Sequence, residues 1–325
     1  MNIIGIDIGG TKCGAILAVC ENDNVRFLGK TGFLTKDAGG SPEAVIKRLL
    51  TDVKDLLISH GLKTTDIAAC GISCGGPLNV KNGVILCPPN LPGWVNVPVV
   101  SIFESDLKLP CHLQNDANAG AIAEHLFGAG KGFENIIFLT HGTGMGAGLI
   151  LNGKLYSGTN DMAGEVGHIR LERFGPVGFG KAGSFEGFCS GGGIAKLAQT
   201  MALEKMQMGV KVGFCPTPKD LPHITAKTVA EAANNGDSLA REVFAVSGRY
   251  LGRTLALLID TLNPERIILG SIYGRCMNLL HSTMSEEINK EAISYSRDVC
   301  EILPCGLGEA INDYEAISIG VYATR

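Results

Sequence analysis

The sequence predicts an α/β protein of two lobes with a cleft between them, each lobe a mixed β-sheet flanked by helices. Three observations lead there. The chain has 325 residues, which suits two domains of roughly 100–200 residues better than one core. Its first quarter passes from apolar β-rich runs to an amphipathic helix and back to a buried strand, the pattern of a sheet with helices packed on it. A stretch near the middle repeats the plan of the opening, so the architecture is duplicated.

In chain order, residues 2–8, 13–20 and 25–34 read as strands of a meander, separated by the turn sequences GGTK and ENDN. Ser41 caps a helix with Pro42 at its first position, and Val45, Leu49, Val53 and Leu56 recur at helical spacing until Gly61. A buried strand follows at 67–73. Another short strand ends at Gln114, and a helix runs from near Ala117 to Gly128. Residues 136–151, IIFLTHGTGMGAGLIL, then repeat the strand, glycine turn and strand of residues 3–18, IIGIDIGGTKCGAILA. Aligned without gaps, Asp7 falls on Thr140 and Gly9 on Gly142. The stretch 204–224 reads as an irregular excursion. A long helix over about 237–262 is stopped by Asn263-Pro264, and a strand at 266–269 runs into Gly270-Ser271. These elements divide into a small lobe of residues 1–113 plus about 306–325 and a large lobe of 114–305.

Composition narrows the partners. With 45% hydrophobic and 18% charged residues and 44 glycines, the chain is globular and rich in tight turns. A net charge of −4 supplies no basic field for nucleic acid or anionic membranes. The N-terminus lacks the basic region of a signal peptide, and no apolar run approaches the ~20 residues of a membrane span, so a cytoplasmic location is expected. Eleven cysteines occur singly, without C-x-x-C, which speaks against a disulfide framework or a zinc ribbon.

The glycine turns carry the chemistry. Glycine at a strand end lets backbone N–H groups close on an anion with no Cβ in the way. Gly9 and Gly10 would do this, with Thr11 adding a hydroxyl and Lys12 a charge. An acid beside phosphate needs a cation between them, so Asp7 is read as a direct or indirect partner of Mg²⁺ carried by ATP. Alone, this loop reads equally as a β-hairpin with an Asp-capped turn. The second loop, HGTGMGAG, tips the balance, because Gly142, Thr143 and Gly144 would grip the same nucleotide from another side. No G-x-x-x-x-G-K-[ST] and no strand-linked G-x-G-x-x-G occurs, which argues against P-loop and dinucleotide-binding proteins.

IGIDIGGTK, QNDANAGAIAE, THGTGMGAGLI and GEVGHI, in that order, resemble the ROK family of sugar kinases, repressors and related proteins within the actin-like ATPase superfamily. The resemblance covers essentially the whole chain. It implies two ribonuclease-H-like domains, ATP and Mg²⁺, and a hexose or N-acetylhexosamine phosphorylated at O6. Members commonly form homodimers or homotetramers. Phosphoryl transfer to a hydroxyl needs an acceptor for the leaving proton. Asp116, at a helix N-terminus whose dipole favours its ionised form, resembles the family's catalytic base, although Asp is also a preferred N-cap. Family-matching positions for the sugar are Gly76, Asn90, Asn115, Glu165, His168 and Glu186, and Gly270 falls where the adenine moiety packs.

The sequence also departs from the family. Many members follow GEVGH with C-x-C-G-x-x-G-C-x-E, whose thiolates and a histidine bind structural zinc. Here the stretch is VGFGKAGSFE: Val177, Phe179 and Ser184 stand at the thiolate positions, while Gly180, Gly183 and Glu186 remain. No structural zinc is expected, with Cys189 too displaced to restore it, and His168 and Glu186 are left to packing around Phe179 and Phe185. Gly75 replaces a frequent proline and Ser271 a frequent glycine. The family's repressors carry a helix-turn-helix ahead of the sugar-binding body, whereas Met1 here directly precedes the first strand. The competing reading from another class is a catalytically silent sugar sensor.

Overall fold

The computed structural model describes residues 1–22 and 24–325; Asp23, in the expected ENDN turn, lies outside the described residues. The chain forms two compact units. Unit 1 comprises Met1–Glu134, Gly148–Ala163 and Gly306–Arg325, and unit 2 comprises Asn135–Ala147 and Gly164–Cys305. The sequence division at 113/114 differs from this one at a specific element. The helix Asp116–Phe127 packs on the C-terminal helix Ile311–Ala323 and on the strand Ile67–Cys74, which keeps it in unit 1.

Unit 1 is built on a sheet whose strands lie in the order Asn24–Lys30, Lys12–Glu21, Asn2–Ile8, Ile67–Cys74 and Cys111–Gln114. The first three are antiparallel neighbours, and the last three run parallel. The strand expected over 25–34 is broken. After Lys30 the chain turns over Gly14, where a Cβ would lie 2.6 Å from the Thr31 carbonyl, and Phe33–Leu34 rejoins the second strand as a separate short piece. On one face the helix Pro42–Ser59 buries Val45, Leu49 and Val53 completely, and Ser41 caps it by accepting the Ala44 N–H at 3.3 Å. The helix Val99–Leu107 adds Phe103 and Leu107 to the same core.

The other face receives the C-terminal helix through glycine. Gly5 and Gly71 are register partners on adjacent parallel strands. A Cβ on Gly71 would sit 2.0 Å from the Ala316 carbonyl, and one on Gly5 would sit 2.9 Å from the Ala316 Cβ. Two missing side chains therefore make the groove in which the helix lies. Glu124, fully buried near the end of the helix Asp116–Phe127, ties that helix to the segment entering the C-terminal one. Its carboxylate accepts the N–H groups of Ala129 (2.6 Å), Gly306 (3.2 Å) and Leu307 (3.0 Å).

Unit 2 contains the parallel strands Ile136–Leu139, Arg266–Leu269 and Glu301–Pro304. The expected strand–turn–strand repeat is present as Ile136–Leu139 and Ala147–Leu151 flanking a loop, the second strand passing into unit 1 after Ala147. The long helix is Ser238–Leu262, capped by Asp237 onto the Ala240 N–H at 2.9 Å and ended by Asn263 in the left-handed region, φ 45°, ahead of Pro264. The stretch 204–224 is less irregular than its composition suggests: the helix Gly191–Gln207 extends into it, and Pro218–His223 is a 3₁₀ turn. Among the described residues no helix is long and apolar enough to cross a membrane.

Two stability outcomes follow from this packing. Gly71→Ala forces a methyl into backbone and is expected to lower unfolding free energy by about 3 kcal/mol in denaturant titrations. Glu124→Ala leaves three N–H groups without their carboxylate, with an expected loss of about 2–4 kcal/mol. A shift under 0.5 kcal/mol in either variant would refute the corresponding packing argument.

Candidate active site

The carboxyl ends of the three parallel strands of unit 1 gather the predicted residues, the edge at which open α/β sheets commonly bind ligands. Asp7 is the penultimate residue of Asn2–Ile8, Gly76 follows Ile67–Cys74, and Asn115 and Asp116 follow Cys111–Gln114. Gly9 to Lys12 form a tight turn closed by the Gly9 N–H on the Lys12 carbonyl at 3.0 Å. Gly10 admits the Asn90 loop: a Cβ there would lie 2.2 Å from the Asn90 carbonyl, so the glycine turn and Asn90 are in direct contact. In front of Gly75 and Gly76 a Cβ would meet nothing within 4 Å, which leaves the backbone open to approach.

The underside of the turn is tied down. Thr35, buried, donates its hydroxyl to the Gly9 carbonyl at 2.7 Å and its N–H to the Thr11 carbonyl at 3.0 Å. Cys13 Sγ supports the same Gly9 carbonyl at 3.5 Å. The Gly9 and Thr11 carbonyls are thus both held by Thr35.

Asp116 differs in detail from the sequence expectation. The cap of its helix is Asn115, whose side chain accepts the Asn118 N–H at 2.7 Å, and Asp116 is the first helical residue, with Oδ1 accepting the Ala117 N–H at 2.9 Å. Asp116 is solvent-exposed yet set deep in protein. Burial pushes its pKa above the ordinary carboxylate value, against the lowering effect of the Ala117 N–H. The helix N-terminus therefore does not decide its protonation; desolvation outweighs it.

Asp7 is pushed further, up to about 7, by burial first and then by the negative charges of Asp116 and Asp313. Glu315 is also raised, by burial and then by Asp116 and Asp7. Asp313 and Glu315 are site residues that sequence reasoning missed. Their only signal was an acidic NDYE run opening the last helix, and nothing in the sequence ties that run to Asp7; the glycine groove does.

Unit 2 assembles the other predicted residues. Its glycine loop is closed by Thr140, whose N–H donates to the Gly146 carbonyl at 3.0 Å and whose Oγ1 accepts the Gly146 N–H at 3.1 Å. His141 is fully buried with φ 40° and bonds through Nε2 to the Cys189 carbonyl at 3.0 Å; burial lowers its pKa to about 4, so it is neutral near pH 7. The Gly142 carbonyl accepts the Gly191 N–H at 2.8 Å, joining the loop to the N-terminus of Gly191–Gln207. Gly144 lies against Glu186, whose Oε2 accepts the Met145 N–H at 3.1 Å. Gly167 in turn packs on Met145, where a Cβ would sit 2.2 Å from its carbonyl. The loop, Glu186 and the 3₁₀ turn Val166–His168 thus converge, with Glu165 exposed just ahead of that turn.

Gly270 caps the helix Ser271–Glu291 and donates its N–H to the Leu139 carbonyl at 2.8 Å. Beside the loop lies a cavity of about 860 Å³, lined among others by Thr143, Gly191, Thr225, Lys227, Glu231 and Arg275. Most of this lining escaped sequence reasoning, although the Ser190-capped run Gly191-Gly192-Gly193 at a helix start was a readable sign. At the former thiolate positions, Val177 and Phe179 lie in a two-stranded hairpin, and Ser184 caps the short helix Phe185–Cys189 through the Gly187 N–H at 3.1 Å.

The ROK family profile matches residues 3–311. A glucokinase from Halalkalibacterium halodurans is 30% identical over 308 residues, 94% of this chain and 90% of that protein. The crystal structure of a ROK family glucokinase from Streptomyces griseus in complex with glucose and AMPPNP matches with a TM-score of 0.75 at 29% identity, covering 98% of each chain. A xylose repressor from Caldicellulosiruptor bescii is 29% identical over 295 residues, 90% of this chain and 71% of that protein.

The raised Asp7 has a signed consequence for the ligand-free protein. The folded state holds this proton up to pH about 7, whereas the unfolded chain releases it near 3.8. The resulting stabilisation is present below pH 4 and is lost as pH rises to 7. The melting temperature of the wild type relative to Asp7→Asn is therefore expected to fall between pH 4 and 7, leaving the Asn variant the more stable at pH 8. A pH-independent difference would refute the burial of this charge.

Proposed function

Since the chain belongs to the ROK family, has the actin-like ATPase fold of its sugar kinases and is itself a sugar kinase, we propose that it transfers the terminal phosphoryl group of ATP to O6 of a hexose or N-acetylhexosamine. The observation that carries this reading is the placement of Asp116, a carboxylate of raised pKa, beside Asp7 and the tied-down glycine turn at one end of one sheet. A base whose pKa is lifted toward the working pH takes a hydroxyl proton more effectively than an ordinary carboxylate.

In this reading Asn90 and Asn115 in unit 1 and Glu165, His168 and Glu186 in unit 2 bind the sugar hydroxyls, with the open backbone at Gly76 beside the ring. A site of paired polar groups discriminates strongly among polyols, because each mismatch leaves a buried group unpaired. Asp116 receives the hydroxyl proton on Oδ2, the oxygen not committed to Ala117. Gly9, Gly10, Thr11 and Lys12 hold phosphate oxygens in unit 1. Gly142, Thr143 and Gly144 do so in unit 2, with the 860 Å³ cavity and Gly270 taking the adenosine.

The residues present suit Mg²⁺. Asp7 stands in a field negative enough to raise it to about 7, and a dication relieves that field. Among the described residues no three His, Cys, Asp or Glu side chains converge on one metal position, as suits an ion that takes most of its ligands from phosphate and water. Held by Asp7, Mg²⁺ would neutralise charge on the phosphate oxygens. No structural zinc enters the reading. A homodimer or homotetramer working in the cytoplasm completes it.

The decisive assay is sugar-dependent ADP formation across common hexoses and N-acetylhexosamines, with product position read by NMR. Asp116→Asn is expected to fold, to retain nucleotide binding and to lose about 10²–10⁴ in kcat. The acid limb of the wild-type kcat/KM is expected above the ordinary carboxylate range, in the direction of the Asp116 shift. Wild-type turnover in the Asn variant would refute the base assignment. Sugar binding without ADP formation would favour a sensor.

A further inference from the structure

One loop of unit 2 breaks a local rule. In the hairpin of Val177–Gly178 with Lys181–Ala182, Gly178 pairs with Lys181, so Phe179 and Gly180 are the two central residues. Both are left-handed, with φ 41° and 76°. Two-residue loops of this kind favour Asn, Asp or Gly, and a bulky side chain there is strained. Burial does not compensate, because Phe179 is 66% exposed.

The ring does have one aromatic partner. It meets the His168 imidazole edge to face, with centroids 5.1 Å apart and planes at 89°. The same hairpin holds the backbone beneath that imidazole: Lys181 Nζ donates to the His168 carbonyl at 2.6 Å. The hairpin is anchored at its base, where Lys196 Nζ donates to the Val177 carbonyl at 2.6 Å. A strained, exposed residue whose ring contact is with a site histidine is a local cost retained for a purpose at the site.

We propose that Phe179 is a positioning residue, its ring fixing the His168 imidazole in the orientation that meets the sugar hydroxyls, with Lys181 fixing the same residue through its backbone. The proposal rests on the reading of His168 as a sugar ligand. It makes sugar affinity depend on a hairpin tip that need not touch the sugar.

The strain supplies a discriminating test. Glycine suits the left-handed backbone, so Phe179→Gly relaxes the loop while removing the ring. The expected result is a melting temperature equal to or above the wild type, a sugar KM raised at least fivefold, and kcat and ATP KM within twofold. Phe179→Tyr, which keeps the ring, should retain the wild-type sugar KM. On a His168→Ala background, Phe179→Gly should add no further rise, because the ring acts through the imidazole. A sugar KM within twofold of wild type in Phe179→Gly would overturn the proposal. So would a lowered melting temperature with both KM values rising together, or full additivity with His168→Ala. Wild-type ADP formation separates the two levels. If the wild type neither turns over nor binds any hexose by calorimetry, the kinase reading falls and this inference with it. If it turns over and Phe179→Gly matches it, only this inference falls.

Discussion

Carboxylates crowded deep at the end of one sheet, reached by solvent but poorly solvated, are the constraint around which unit 1 is organised. Asp7, Asp116 and Glu315 each take part in this mutual repulsion, and burial raises the proton affinity of all three. Such a group of acids costs free energy in an empty protein and is relieved by a proton or a cation. Desolvation raises Asp116, while the neighbouring carboxylates add to the rise of Asp7 and Glu315. An isolated helix N-terminus would have favoured the opposite, an ordinary ionised carboxylate. Here desolvation is the larger effect, and the helix supplies position instead.

That crowding exists because the C-terminal helix comes close enough to contribute to it. Gly5 and Gly71 leave a groove filled by Ala316 and its neighbours, and the helix carrying Asp313 and Glu315 lies in it. Glu124 fixes the helix Asp116–Phe127 to the segment entering the C-terminal helix through the N–H groups of Gly306 and Leu307. Packing of the C-terminal helix thus adds Asp313 to the charges that raise Asp7 and brings Glu315 near Asp7 and Asp116.

The two glycine turns repeat in sequence but are supported differently. The first is held from below by the Thr35 hydroxyl and amide, the second by Thr140, by the Gly191 N–H and by the Glu186 carboxylate. In unit 2 the Lys181 ammonium on a backbone carbonyl and the Phe179 ring stand in the segment where many ROK members carry thiolates. The glycines supply permissive backbone, while residues remote in sequence decide which way it faces.

Patterns local in sequence were legible from the residues alone. The helix Ser238–Leu262 with its Asp237 cap and Asn263 stop, the strand Arg266–Leu269 and both glycine turns follow from periodicity, capping and turn chemistry acting over a few residues. So did the position of Asp116 at the start of a helix. Tertiary structure decided what depends on distant neighbours. The break of the third strand over Gly14, the identity of Asn115 as the cap, the rise rather than fall of the Asp116 pKa and the entry of Asp313 and Glu315 into the site all depend on burial and close approach. Desolvation is a property of everything surrounding a group, and no short window of sequence contains it.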